Sequence, residues 1–138
     1  MNKICTDISQ SNKLIELGID VNTADMVWIE DYLGYDSDGK RKHGKYRLYG
    51  DMLIPAYGQD SVPAWSLNAL EKLMPFQIIE NNERYGFKQW KGYDSQGETY
   101  CFEYISNIGT KLYETYHRNT PLDSAFEMVV WLKENGKL

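Results

Sequence analysis

The chain has 138 residues, enough to bury a core without disulfides or metals as staples, and that length fits one domain over 1–138. Its 42% hydrophobic and 25% charged residues are ordinary for a soluble globular protein. A net charge of −5 argues against broad nucleic-acid binding, which needs a basic face, and no apolar run approaches the ~18 residues of a membrane span.

Residues 7–17 read as the first helix. Asp7 can cap it with Gln10 as its capping-box partner, and Ile8, Leu14, Ile15 and Leu17 supply an apolar side. Gly18 stops it, with Ile19 folding back in a Schellman ending. Residues 26–33 read as a strand that runs into a turn, and 45–49 as its return arm. Lys40 to Lys45 read as a basic loop between the two. Pro55, Gly58 and Pro63 make 50–64 mostly loop.

A second helix spans about 64–74, where Leu67, Leu70, Leu73 and Met74 recur at helical spacing and Pro75 ends it. A meander follows: strand 76–79, a turn at Asn81-Asn82, strand 85–90, a turn, strand 99–105 and a last strand 111–117. The final helix starts at Thr120 as N-cap with Pro121 in the first helical position and Asp123 in the first turn. Its stripe is Leu122, Ala125, Phe126, Val129 and Leu132, widened by Met128, Val130 and Trp131. Gly136 lies just past the end. The expected fold is α+β: one antiparallel sheet of five or six strands with two to three helices packed on one face.

Two near-copies of one turn stand out. Gly34-Tyr35-Asp36-Ser37-Asp38-Gly39 and Gly92-Tyr93-Asp94-Ser95-Gln96-Gly97 share G-Y-D-S-x-G, each after a tryptophan, Trp28 or Trp90. The first resembles the start of a calcium loop, but the register fails. With Gly39 at position 6, position 1 is Gly34 and position 12 is Lys45. Asp and Gly are therefore turn residues, with Gly39 and Gly97 supplying positive φ.

No residue set carries a catalytic or metal signature. His43 and His117 are the only histidines, and neither has Cys or His at ligand spacing. Glu98 and Glu103 fall on opposite faces of a strand by alternation and make no acid–base pair. Cys5 and Cys101 are the only cysteines and read as free thiols, a disulfide between them staying open. With no apolar leader region, the expected location is the cytoplasm. No cofactor is expected. Lys40, Arg41, Lys42, Lys45 and Arg47 read as a solvated hairpin tip balanced by Glu30, Asp31, Asp36 and Asp38. Eleven Tyr and four Trp against four Phe supply aromatic surface with polar handles, the residue types of interfaces and ligand platforms. Trp28, Tyr35, Trp90 and Tyr93 are the candidate binding residues.

The runs Ser11-x-Lys13-Leu14-x-x-Leu17-Gly18-Ile19, Thr23-Ala24-Asp25-Met26-x-Trp28, Ile54-Pro55, Pro63-Ala64-Trp65-Ser66-Leu67-x-x-Leu70 and Pro121-Leu122-x-x-Ala125-x-x-Met128-x-x-Trp131-Leu132-x-x-Asn135-Gly136 carry a resemblance over the whole chain. In them the chain resembles a family of small uncharacterised proteins from gut anaerobes and their phages or other mobile elements. That resemblance implies an accessory gene product and no activity or site residues. The expected function is a small non-enzymatic protein-interaction module, accessory or regulatory and phage-related, whose partner is a protein. Self-association as a homodimer through exposed hairpin edges stays open. The alternative is a small-ligand or carbohydrate-binding domain with Trp28, Tyr35, Trp90 and Tyr93 as its aromatic platform. A second alternative is an enzyme of unrecognised type.

Overall fold

The computed structural model describes residues 3–50, 60–118 and 120–138. Three helices, α1 (Ile8–Glu16), α2 (Leu67–Leu73) and α3 (Pro121–Glu134), are interleaved with seven strands. These are β1 (Met26–Tyr35), β2 (Arg41–Gly50), β3 (Ser61–Ala64), β4 (Gln77–Glu80), β5 (Glu83–Asp94), β6 (Gly97–Ile105) and β7 (Lys111–Arg118). No helix of the described residues is long and apolar enough to cross a membrane.

The α+β class stands, but the single sheet does not. The strands form two antiparallel sheets, one ordered β2-β1-β3 and the other β4-β5-β6-β7. The cause is a strand inside the stretch that reads as loop. Ser61–Ala64 pairs with Met26–Ile29 of β1, so the first hairpin gains a third strand of its own. Pro63 is tolerated there because β3 is an edge strand and needs fewer ladder donors. Helix α2 and Pro75 then separate β3 from β4, and the meander builds its own sheet. Pro55 and Gly58 lie outside the described residues.

Local chemistry explains the helix ends. Asp7 accepts from the Gln10 N–H at 2.8 Å while the Gln10 side chain accepts from the Asp7 N–H at 3.1 Å, which completes the capping box. At the other end Ile19 N–H reaches Leu14 O and Gly18 N–H reaches Ile15 O, both at 3.0 Å, with Gly18 at φ 88°. Helix α2 begins later than the spacing of its leucines suggests, because Ser66 is its N-cap and accepts from Ala69 N–H at 3.2 Å. Thr120 occupies the N-cap position of α3 but makes no capping bond to the backbone. Its side chain instead bonds the Asp123 carboxylate.

Helix α3 covers one face of the four-stranded sheet, against β6 and β7, and α2 packs against α3. Leu122, Ala125, Met128, Val129 and Leu132 of α3 are fully buried against Phe102 and Tyr104 of β6, with Leu70 of α2 in the same core. Each such large aliphatic side chain contributes about 1.5–3 kcal/mol on burial. Phe87 packs on Phe102 and Tyr104 with ring centroids 5.9 and 5.7 Å apart, and Trp131 stacks on Tyr113 at 4.4 Å. The Tyr104 hydroxyl donates to Pro75 O at 2.7 Å.

The two copies of G-Y-D-S-x-G fold differently. Asp94 pairs directly with Gly97, so the second copy closes over two residues. The first needs three, with Asp36 N–H to Lys40 O at 2.8 Å, Gly39 N–H to Asp36 O at 3.1 Å and Gly39 at φ 77°. Its structural twin is Ser106-Asn107-Ile108-Gly109-Thr110, which repeats both bonds at 2.8 and 3.0 Å with Gly109 at φ 87°. What the two copies share is the Asp: Asp36 Oδ1 accepts from Asp38 N–H, and Asp94 Oδ1 from Gln96 N–H. At Asn81-Asn82 both residues have positive φ, the geometry that suits a two-residue hairpin.

A polar junction ties the three-stranded sheet to the helices. Thr6 N–H donates to Trp65 O at 2.9 Å, and the Thr6 hydroxyl accepts from Trp65 N–H at 3.0 Å and meets Ser11 Oγ at 2.7 Å. Trp28 Nε1 donates to Thr6 O at 3.0 Å, and Trp65 Nε1 to Thr23 Oγ1 at 2.9 Å. Asp25 accepts from both Ser66 N–H and Ser66 Oγ. Thr6, Ser11 and Trp65 are fully buried, so an unmatched polar group among them is costly. Replacing Thr6 by the isosteric valine leaves the buried Trp65 N–H without its acceptor. We expect Thr6→Val to lower unfolding free energy by about 1–3 kcal/mol in urea titrations followed by tryptophan emission.

Candidate functional site

The distal half of the β1–β2 hairpin runs past β3, which ends its pairing at Ile29. What holds this arm together is a carboxylate. Glu30 is only 2% exposed. It accepts from Gly44 N–H at 3.0 Å, lies 3.3 Å from His43 Nδ1 and 3.6 Å from Arg41 Nη1, and bonds the Tyr46 hydroxyl. Burial alone would push its carboxyl up, but the Gly44 N–H, the Arg41 guanidinium and His43 outweigh it and hold it below the usual carboxylate range. Burial and the Glu30 charge push the Tyr46 phenol up.

Two bulges make room for this arrangement. The pairing shifts between Glu30 and Tyr32, and again between Tyr32 and Tyr35. The first extra residue lies on β2 and the second on β1, so the arm is bent at two places in succession. Gly44 sits in the first bulge, where a Cβ would lie 2.4 Å from Asp31 O. Gly34 sits in the second with φ 77°. Residues 41–45, which read as a loop, are thus strand, and the tip is confined to 36–40.

The charges of the basic run divide into two sets. Arg41 bridges Glu30 and Asp60, the latter at 3.0 Å, and Arg47 pairs with Asp31 at 3.0 Å. Lys40, Lys42 and Lys45 are exposed and have no ion pair among the described residues. Glu30, His43 and Asp60 bring one ligand atom each within 4.8 Å of one another, a spacing that could suit a metal ion. The Arg41 guanidinium already stands between the two carboxylates, and its fixed charge opposes a metal there. Beside the lysines, Tyr32, Leu33 and Tyr35 are 55%, 53% and 57% exposed.

The other sequence candidates lie elsewhere. Trp28 is half-buried at the Thr6 junction and lines a 220 Å³ recess with Cys5 and Leu48. Trp90 and Tyr93 belong to the second sheet, at 39% and 77% exposure. The Trp90 ring lies across Gly92, where a Cβ would come within 2.8 Å of it. Trp28 and Trp90 therefore share neither a sheet nor a cleft among the described residues.

His117 lines a 500 Å³ cleft between α1, α3 and β7, with Nε2 2.7 Å from Glu127 Oε2. Across it, Asp123 is held by Lys3 at 3.0 Å and Gln10 at 2.7 Å. No serine, cysteine or threonine lines this cleft among the described residues, so His117 has no hydroxyl or thiol there to activate. Both cysteines are free and buried, and burial pushes each thiol up to about 11, which leaves little thiolate at neutral pH. Glu98 and Glu103 do face opposite ways. Glu98 bonds Tyr100 at 2.6 Å, while the buried Glu103 lies directly across from Glu114, with Lys111 bridging both. Only the strand register reveals that cross-strand pair.

Comparison with protein-family models, curated proteins and solved structures gave no match, so the arm is interpreted from its own geometry.

Two outcomes follow. A carboxylate whose pKa is lowered by folding stabilises above its unfolded pKa, about 4.3 for Glu, and that contribution is lost as pH falls through the folded value. Urea midpoints of the native chain should therefore drop on acidification below about pH 4, and Glu30→Gln should flatten this drop while lowering stability at pH 7. An unchanged acid limb in the variant would show that Glu30 is not the group responsible. Gly44→Ala should cost about 2 kcal/mol or more, because backbone must move. Gly39→Ala, with open space around it but positive φ, should cost only about 1–2 kcal/mol in the same titration.

Proposed function

We propose that this chain is a non-enzymatic protein-interaction module of an accessory or regulatory kind, and that its binding surface is the pinned β1–β2 arm. One observation carries this reading: the arm runs past β3 and carries the exposed Tyr32, Leu33 and Tyr35 together with three lysines that have no ion pair among the described residues. Aromatic groups with polar rims are the usual energetic centre of protein contacts. A rigid presenting element lowers the ordering cost of binding, and the Glu30 hub supplies that rigidity.

The chemistry indicates the partner's face. Lys40, Lys42 and Lys45 stand on a chain of net charge −5, so the arm is a local basic feature on an acidic protein. An acidic protein surface with an apolar centre complements it, and the acidic remainder of the chain disfavours nucleic acid. Such a contact weakens as salt rises.

The test is affinity capture from the cells that encode the protein, at low salt, with wild type and variants in parallel. A stoichiometric acidic protein should be captured, and Tyr32→Ala with Tyr35→Ala should weaken its binding by about 2 kcal/mol or more. Trp90→Ala, on the other sheet, should leave it intact. Capture of nucleic acid by the arm, or a protein partner indifferent to both tyrosines, would refute the reading.

A further inference from the structure

A second cleft, of 380 Å³, lies on the four-stranded sheet between α2 and the start of α3. That volume lies within the range of small-ligand sites. Leu67, Phe102 and Pro121 supply its apolar walls and Tyr100 its aromatic surface, while the Trp90 indole lies over Gly92 on the opposite face of the sheet. Two polar side chains that line it, Glu71 and Gln89, have no side-chain partner among the described residues.

The charges in this cleft do not balance. Lys91 also lines it, but its ammonium is 3.1 Å from Glu98 Oε1, and that pair is self-neutralising. The same ammonium lies 5.7 Å from the centroid of the Tyr100 ring, so this ring already receives a cation. Glu71 is left as the uncompensated charge. Burial pushes its carboxyl up, the response of a partly desolvated acid with no cation beside it.

We propose that this cleft binds an organic cation, an ammonium or guanidinium group on a short apolar chain, with Glu71 as its counter-ion. The charged head pairs with the Glu71 carboxylate, and the Gln89 amide oxygen can accept a further N–H. The chain lies along Leu67, Phe102 and Pro121. A neutral polyol could use the same hydrogen-bonding groups, but it would leave the carboxylate charge unmatched in a partly dry site. This assignment is independent of the arm, which belongs to the other sheet.

The test uses the full chain labelled with ¹³C at Glu side chains and ¹⁵N at Gln side-chain amides, titrated separately with n-butylguanidinium, n-butylammonium, an acetyl-Gly-Arg-Gly-amide peptide and glucose. The cations should shift the Gln89 side-chain amide signal and lower the apparent pKa of the Glu71 carboxyl, and Glu71→Gln should weaken their binding about tenfold. Tighter binding of the peptide than of butylguanidinium would assign the site to a protein side chain. Equal binding would assign it to a small-molecule cation, and either result supports the proposal. Glucose binding without cation binding, no response to any probe, or cation binding unaffected in a folded Glu71→Gln protein would overturn it.

Discussion

A carboxylate buried between two β-bulges sets the shape of the arm. Two-stranded ribbons are marginal in water on their own, because each strand has one pairing partner and little apolar area to bury. Here the ribbon beyond Ile29 acquires an internal anchor instead of a third strand. Glu30 gathers a backbone N–H, a guanidinium, an imidazole and a phenol around one desolvated group. The desolvation of that charge is unfavourable, and only full satisfaction of the carboxylate offsets it. The bulge at Gly44 makes this possible, since it turns the β2 backbone N–H toward the carboxylate.

The arm is useful only if its base is fixed, and the Thr6 junction fixes it. Trp28 at the root of β1 and Trp65 at the end of β3 both engage the segment that leads into α1. Two tryptophans that could have served as ligand platforms thus spend their indole N–H groups on holding elements together. Among the aromatic groups left exposed, Tyr32, Tyr35 and Tyr93 lie toward the far ends of hairpins. This division follows from geometry: indoles near a strand root reach neighbouring elements, and side chains beside a turn do not.

Much of this architecture is legible in the sequence where the determinants are local. The ends of α1 follow from Asp7, Gln10 and Gly18, and α3 follows from Pro121, its apolar stripe and Gly136. These signals act within a turn or two. The split into two sheets depends instead on four residues, Ser61–Ala64, pairing with a strand over thirty positions away in a stretch broken by prolines and glycine. Strand register is equally non-local, and it made two near-identical turns close over different numbers of residues. Glu30 has no local mark of burial, because its environment is assembled by Gly34, Gly44 and residues across the hairpin. The exposure of Tyr35 and Tyr93 follows from their place beside turns, whereas the separation of Trp28 from Trp90 follows only from the sheet assignment.

The most direct test of this account is hydrogen exchange at the Gly44 amide, measured by NMR at pH 6 and again at pH 3. A carboxylate-pinned arm predicts strong protection at pH 6, relative to the intrinsic rate at each pH, and its loss at pH 3 while the α3 amides stay protected. Exchange of Gly44 at the unfolded rate already at pH 6 would contradict it, because the arm would then be a loose ribbon and Glu30 would not be its anchor.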